Sequence, residues 1–377
     1  MRNQMRINLT ESFVGEIVTS APSNIAITKY WGKKNPEFYG PQIPANTSIS
    51  MALKNSVTAM KLKYSFAVTD KSHFQLHFKF EGKENLLFKE KFQKFIEEIW
   101  IKEVEIKSKI ENLSEIMSAM TFEIETENSF PHSAGIASSA SSFAALNLCL
   151  KSFLENILVK SGNEFKISPQ ELSNWARLAS GSASRSVGMK WALWGEHCDV
   201  NNSSNHFAID LESSINLHPL FKSLKNTIIV VDSKRKSVSS RHGHELMNQH
   251  PFAGARFEWA QNQNKKLLTA FESGDFNKFS EVCEMECLML HGLMMTSQPQ
   301  VLLLKGKTLD VINLVKDFRQ IHDVPITFTL DAGPNLHLLY PDEKFIFEKL
   351  KLIESFIIEK LKPLSEDSLI IWDQCRE

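Results

Sequence analysis

Between Pro131 and Ser142 the chain reads PHSAGIASSASS, a glycine set among alanines and serines, and this run limits the possible folds more than any other segment. Upstream, TFEIET (121–126) places Phe122 and Ile124 on one face, the period of a half-buried strand. Downstream, Phe143, Leu146, Leu150, Phe153, Leu154 and Ile157 recur at helical spacing. A strand therefore feeds a loop made mostly of small residues, and the loop opens a helix. Backbone N–H groups at such a helix start, with the positive end of the helix dipole behind them, suit a polyphosphate that must approach closely. Gly135, Ser138 and Ser139 are the candidate contacts. An Ala/Ser-rich helix packed tightly against a sheet would give the same pattern. The loop is not a Walker A motif, because GxxxxGK(S/T) is absent.

The rest of the chain reads as a mixture of strands and helices. HFQLHFKF (73–80) alternates Phe74, Leu76, Phe78 and Phe80, and a helix follows with Phe88, Phe92, Phe95, Ile96 and Ile99 as core. NTIIVV (226–231) has the look of a buried strand, and ITFTL, DAGPN and LHLLY (326–340) form strand, tight turn and strand. The class is α+β. A chain of 377 residues with 42% hydrophobic content suggests two packed domains. The loop-like SSINLHPLFKS sets their border, giving domains 1–216 and 217–377. Forty-three basic against 44 acidic residues leave a formal charge of -1, so no global field favours nucleic acid or an anionic membrane. An anionic substrate must meet a local cluster. The opening MRNQMRINLTESFVGE lacks a signal-peptide core, and no window is read as reaching the roughly 18 apolar residues of a membrane span. A cytoplasmic protein is expected, and the five scattered cysteines read as reduced thiols.

Several polar clusters could meet an anion. ASGSASRS (179–186) offers the hydroxyls of Ser182 and Ser184 and the paired donors of Arg185. APSNIAITKYWGKKN (21–35) sets Lys29 and Lys33 four residues apart around Tyr30 and Gly32; lysine is a compact charge suited to a diphosphate, though solvated surface lysines would look the same. SVSSRHG (237–243) adds Ser240 and Arg241, or is an ordinary polar loop. Asp331, where a strand enters the DAGPN turn, either caps the turn or serves as a base aimed into a cleft.

NIAITKYWGK, NSFPHSAGIASSAS, SGSASRS, VSSRHG and TLDAGPN, in this order across residues 24–335, resemble the motifs of the diphosphomevalonate decarboxylases. That family is a branch of the superfamily of galactokinase, homoserine kinase, mevalonate kinase and phosphomevalonate kinase, the GHMP kinases. The resemblance implies a two-domain GHMP-kinase-like fold: an N-terminal domain of ribosomal-protein-S5-like βαβ character, a C-terminal ferredoxin-like α/β sandwich, and an active site in the cleft between them. It implies ATP-dependent decarboxylation of 5-diphosphomevalonate to isopentenyl diphosphate, with ATP as co-substrate, Mg2+ bound through its phosphates, and a homodimer. By position, Asp331 becomes the catalytic base and Lys29 its electrostatic partner. Tyr30, Lys33, Ser182, Ser184, Arg185, Ser240 and Arg241 fall where the family holds the substrate diphosphate and carboxylate. Asn128, Ser133, Gly135, Ser138, Ser139 and Ser141 fall on the ATP side, and Asn24 is a supporting positioner. No protein metal ligand is assigned.

The match has departures. His132 and Ser133 replace the usual Thr and Ala at the loop entrance, Ser184 replaces a cysteine, and His244 stands where a methionine often packs, which changes the pocket's shape. FYG (38–40) and the stretch 98–118 are longer than in a minimal member and receive no role. GEHCDVNN (195–202) echoes a galactokinase signature but lies mid-chain, so neither a sugar site nor a metal site at His197, Cys198 and Asp199 is expected. A mevalonate 3-kinase, a phosphomevalonate decarboxylase and a non-catalytic binding relative are the competing readings; retention of Asp331 and of the Ala/Ser loop favours the decarboxylase.

Overall fold

The computed structural model describes residues 5–68, 73–108, 110–131, 136–163, 165–233 and 240–376, with the backbone alone for Ser240 and Arg241. The chain forms two compact units, each assembled from separate stretches. One comprises Met1–Ala21, Thr58–Ser129 and Ser139–Val187; the other comprises Pro22–Val57, Phe130–Ser138 and Gly188–Glu377. The border at 216–217 thus lies inside the second unit. The physical reason is that two long strands, β1 (Phe13–Thr28) and β2 (Ser48–Phe66), each contribute residues to both units.

In the first unit β3 (Gln75–Phe80) carries β4 (Lys83–Glu84) antiparallel on one side and β5 (Met120–Asn128) parallel on the other; β5 in turn pairs antiparallel with Thr58–Phe66 of β2. Phe122 and Ile124 are buried while their neighbours Glu123 and Glu125 are exposed, the alternation read from the sequence. Helix α1 (Leu86–Phe95) starts at Asn85, whose side chain accepts from the Phe88 N–H. Phe92, Phe95 and Ile96 are buried and Phe88 and Ile99 partly so. Helix α2 (Ser138–Lys160) follows the Ala/Ser loop, and α3 (Pro169–Ala179) opens with a reciprocal Ser168–Glu171 capping box. The core is aromatic: Phe153 meets Phe122 edge-on at 4.9 Å, and Trp100 meets Trp175 edge-on at 5.9 Å.

The structure departs from the expectation that no stretch of the chain is apolar enough to span a membrane. Helix α2 is long and apolar enough to cross a membrane by length and composition, with 61% of its apolar window buried within the fold. Leu146, Leu150, Phe153 and Ile157 are fully buried, which is the placement of a core helix, while Val159 near its end is exposed.

In the second unit Ser48–Met51 of β2 pair antiparallel with β6 (Trp191–Trp194), which pairs with β7 (Ala208–Asp210). A separate antiparallel sheet is built from β8 (Lys225–Ile229), β9 (Thr327–Thr329), β10 (Leu336–Tyr340) and β11 (Ile370–Gln374), in the order β11-β8-β10-β9. Strand β8 is interior to this sheet, and Asn226–Ile229 are wholly buried, which explains the unbroken apolar run. Its longer helices and one short one at the Arg241 segment are α4 (Ser240–Glu245), α5 (Ala253–Ser273), α6 (Phe276–Met295), α7 (Gly306–His322) and α8 (Glu343–Phe356). Between α5 and α6, Gly274 adopts φ 75° to end one helix, and the Asp275 side chain accepts from Lys278 N–H to start the next. All five cysteines are free thiols, with only Cys198 exposed.

Candidate active site

Strands β9 and β10 form the hairpin expected around DAGPN. The turn closes through backbone, Gly333 N–H donating to the Asp331 carbonyl at 2.7 Å. Asn335 Oδ1 accepts from the N–H groups of Val231 at 2.8 Å and Asp232 at 3.0 Å, and its Nδ2 donates back to the Asp232 carbonyl. The Thr308 hydroxyl donates to the Pro334 carbonyl at 2.9 Å. Both arms of the turn are therefore tied to neighbouring segments, and Asp331 leaves the strand end with its side chain 26% exposed.

Lys29 follows the last residue of β1 and is buried, its side chain 2% exposed. The ammonium donates to Asp331 Oδ1 at 2.9 Å and to the Ala26 carbonyl at 2.6 Å. Its backbone is held as firmly. Lys29 N–H donates to Glu286 Oε2 at 2.8 Å, while its carbonyl accepts from Arg256 Nη2 at 3.0 Å and Asn46 Nδ2 at 2.9 Å. Arg256 and Glu286, both with side chains 0% exposed, form a two-pronged pair, each prong 2.8 Å.

Two histidines flank the aspartate. His291 Nε2 donates to the Asp331 carbonyl at 3.1 Å, since a carbonyl can only accept. Burial pushes the His337 imidazole down to about 4, against the opposing pull of the Asp331 charge, so it is neutral near pH 7. Burial also pushes the Cys287 thiol up to about 12, so it is no nucleophile despite the nearby Lys29 charge. What remains is a carboxylate, reachable from outside and fixed by a buried ammonium: a positioned proton acceptor.

The aromatic residues after Lys29 pack on His244. Its ring lies 4.2 Å from the Tyr30 ring and 4.7 Å from Trp31, and its Nδ1 accepts from Gly32 N–H at 3.0 Å, which fixes the proton of the neutral ring on Nε2. So the histidine replacing a methionine does pack, with a hydrogen bond a thioether would make poorly. Gly32, at φ 99°, has no room for a Cβ beside Phe257, and a Cβ on Gly243 would sit 2.6 Å from Trp31. Lys33 is half-buried and bridges to Pro44 through its backbone.

In the first unit, Gly181–Arg185 form a 3-10 turn after α3. Ser184 is fully buried and its hydroxyl donates to the Gly181 carbonyl; Ser182 is half-buried and Arg185 is 4% exposed. Thr58 joins two of the expected nucleotide residues, bonding Asn128 Oδ1 and the Ser141 hydroxyl at 2.7 Å each. Ser141 is therefore an internal support for the helix start, whereas at its first turn Ser138 is half-buried and Ser139 exposed. Ser133 and Gly135, with His132, lie outside the described residues, as do the side chains of Ser240 and Arg241. Asn24 is buried at 3% exposure.

Sequence reasoning missed Arg256, Glu286, His291 and His337. A signal existed for Glu286: it falls on the stripe of Phe279, Cys283 and Leu290 that α6 buries, where a charge needs a partner. The ligand atoms of His197, Cys198 and Asp199 do lie within 4.8 Å of one another, with Cys198 and Asp199 exposed. His197 Nδ1 already accepts from the Asp199 N–H at 3.3 Å.

Residues 21–206 match the family model described as the diphosphomevalonate decarboxylase-like N-terminal domain, and residues 226–368 match the mevalonate 5-diphosphate decarboxylase C-terminal domain. A diphosphomevalonate decarboxylase from Candida albicans is 28% identical over 334 residues, 86% of this chain and 83% of that relative. A mevalonate diphosphate decarboxylase from Legionella pneumophila is similar in structure, with a TM-score of 0.74 and 27% identity over 95% of this chain and all of that one. A structure of MDDEF in complex with MVAPP, AMPPCP and magnesium has a TM-score of 0.71 and 25% identity, over 96% of this chain and 97% of that one.

Proposed function

The chain belongs to the diphosphomevalonate decarboxylase family, and from that premise we propose that it converts 5-diphosphomevalonate and ATP into isopentenyl diphosphate, carbon dioxide, ADP and phosphate, with Asp331 and Lys29 at the chemical centre. The observation that carries the assignment of the two residues is the buried ammonium 2.9 Å from a partly exposed carboxylate at the end of the DAGPN hairpin.

The tertiary C3 hydroxyl is a poor leaving group until it is phosphorylated. Asp331 orients that hydroxyl and accepts its proton as the oxygen takes the γ-phosphoryl group of ATP, a step governed by positioning and charge. Asp331, with its side chain 26% exposed, passes that proton to solvent and is ionised again; when phosphate then leaves with the C–O electron pair, positive character grows at C3, and the carboxylate stabilises it. The bond to the substrate carboxylate then breaks, its electron pair forms the new double bond, and carbon dioxide departs. Lys29 keeps the Asp331 carboxylate in one orientation throughout.

Tyr30, Lys33, Ser182, Ser184, Arg185, Ser240 and Arg241 hold the diphosphate and carboxylate of the substrate in this reading. The helix start at Ser138 and Ser139, with Ser133 and Gly135, takes the nucleotide phosphates. The hydroxyls of half-buried Ser138 and exposed Ser139 are hard oxygen donors, the type that would suit Mg2+ alongside phosphate oxygens and water. Magnesium bound with ATP neutralises charge on the phosphates. A cytoplasmic location and a homodimer complete the proposal, and sedimentation of the purified protein tests the second.

The deciding assay is ATP-dependent release of carbon dioxide compared across mevalonate, its 5-phosphate and its 5-diphosphate. Release with the diphosphate alone is expected. ADP formation without carbon dioxide would indicate a 3-kinase, and preference for the monophosphate would reassign the substrate.

A further inference from the structure

We infer that the buried Arg256–Glu286 pair is a positioning device for catalysis, which fixes the backbone of Lys29 so that its ammonium meets Asp331; the inference rests on reading Lys29 and Asp331 as the catalytic pair. β1 ends at Thr28, so the peptide groups of Lys29 lie just past the strand. Side chains take over there. Lys29 N–H donates to Glu286 Oε2, Glu286 Oε2 accepts from Arg256 Nη2, and Arg256 Nη2 donates to the Lys29 carbonyl. The three bonds close a ring around one residue and fix both of its backbone dihedrals. Asn46 adds a second donor to the same carbonyl, and the Ala26 carbonyl holds the ammonium from behind. With both dihedrals fixed, the ammonium is delivered to Asp331 Oδ1 at 2.9 Å.

The chemistry of the pair supports this. Two ions with no exposure are costly to desolvate, and exchanging a buried ion pair for apolar residues of similar volume is often neutral or stabilising. Packing alone therefore gives no reason to keep Arg256 and Glu286 between α5 and α6. Their mutual neutrality also adds little field at Asp331, so their effect is geometric.

The test uses the full chain with ATP and 5-diphosphomevalonate. The double variant Arg256→Met/Glu286→Leu is expected to fold and to bind both substrates with KM within about threefold, while kcat falls at least about tenfold, since a displacement near 1 Å costs up to about 100-fold. Arg256→Lys keeps the charge opposite Glu286 but cannot fork to the Lys29 carbonyl, and should lose kcat severalfold with KM unmoved; it decides the matter if the double variant does not fold. Wild-type kcat in either folded variant, or a loss confined to KM, overturns the inference. Asp331→Asn assayed alongside separates the two failures: if that variant turns over normally, the catalytic pair itself has been misread.

Discussion

Replacing Asp331 by asparagine is the most informative single change, because the structure fixes what is kept and what is lost. The amide oxygen can still accept from Lys29, and the Gly333–Asp331 turn bond runs through backbone, so the hairpin should persist. The negative charge and the proton acceptor go. At 2.9 Å and an effective dielectric of about 20, the gross attraction to the ammonium is about 6 kcal/mol. The retained hydrogen bond and the solvent access of a side chain 26% exposed reduce the net loss of stability to about 1–3 kcal/mol. Turnover should fall further, by about 10²–10⁴-fold for a lost general base, equivalent to about 3–5 kcal/mol of barrier. Labelled carbon dioxide release, binding of a non-hydrolysable ATP analogue and a thermal melt are to be read on one preparation. Intact nucleotide binding and melting with turnover near wild type would mean that Asp331 merely shapes the turn, and the mechanism would have to be abandoned.

Three further outcomes follow from the same geometry. Ser138→Leu puts a bulky chain at the first turn of α2 and should weaken ATP binding by at least tenfold, about 1.4 kcal/mol; calorimetric titration showing unchanged affinity in the folded variant would remove the loop from the nucleotide site. Arg185→Lys keeps the charge but loses the two-pronged donor geometry, so affinity or rate with the diphosphate substrate should fall, with about 2–5 kcal/mol as the upper scale, the cost of removing one partner of a buried charge pair; wild-type kinetics would make this arginine structural. His337 is held neutral, its pKa lowered from 6.5 to about 4, so the stability it contributes is complete above its unfolded value and is lost as the pH falls from 6.5 to about 4. That window is worth about 3 kcal/mol, and denaturation midpoints of His337→Gln should fall less steeply across it than those of the native protein; parallel curves would show that another group carries the acid sensitivity.

Local patterns in the sequence carried a good part of the fold. The hairpin around DAGPN, β8 at NTIIVV, β5 at TFEIET and the helix opening at Ser138 were all legible, because each depends on alternation, helical spacing or turn chemistry within a few residues. The boundary of the compact units was not, since β1 and β2 give residues to both and nothing in their local composition marks the change. At the site, the pairing of Lys29 with Asp331 bridges 302 positions, and only the resemblance to a family connected them. Arg256 and Glu286 escaped because a charged residue on a helix is ordinarily solvated; Glu286 could have been flagged by its place on a buried stripe, but its partner on another helix could not. His244 shows the opposite case, where a departure from the family pattern became intelligible only once its ring was found against Tyr30 and Gly32.

The discontinuous make-up of the second unit sets a schedule for its biosynthesis. Lys29 is made 302 residues before the aspartate that neutralises it, and at about 5–20 residues per second the ribosome takes roughly 15–60 s to span that interval. Strand β11, which pairs with β8 and so completes that sheet, emerges later still. The first unit contains no residue beyond Val187, so all of its chain is made while synthesis of the second continues. For the second, Ile25, Ile27, Ile49 and Met51 must wait for core partners as distant as Phe271, Phe279 and Leu339. Such separation makes folding slow and leaves apolar strand surface open to wrong partners on the way. Nascent chains stalled after Val187 should already protect the first unit from protease, while Lys29 and its neighbours become resistant only when the chain is nearly complete.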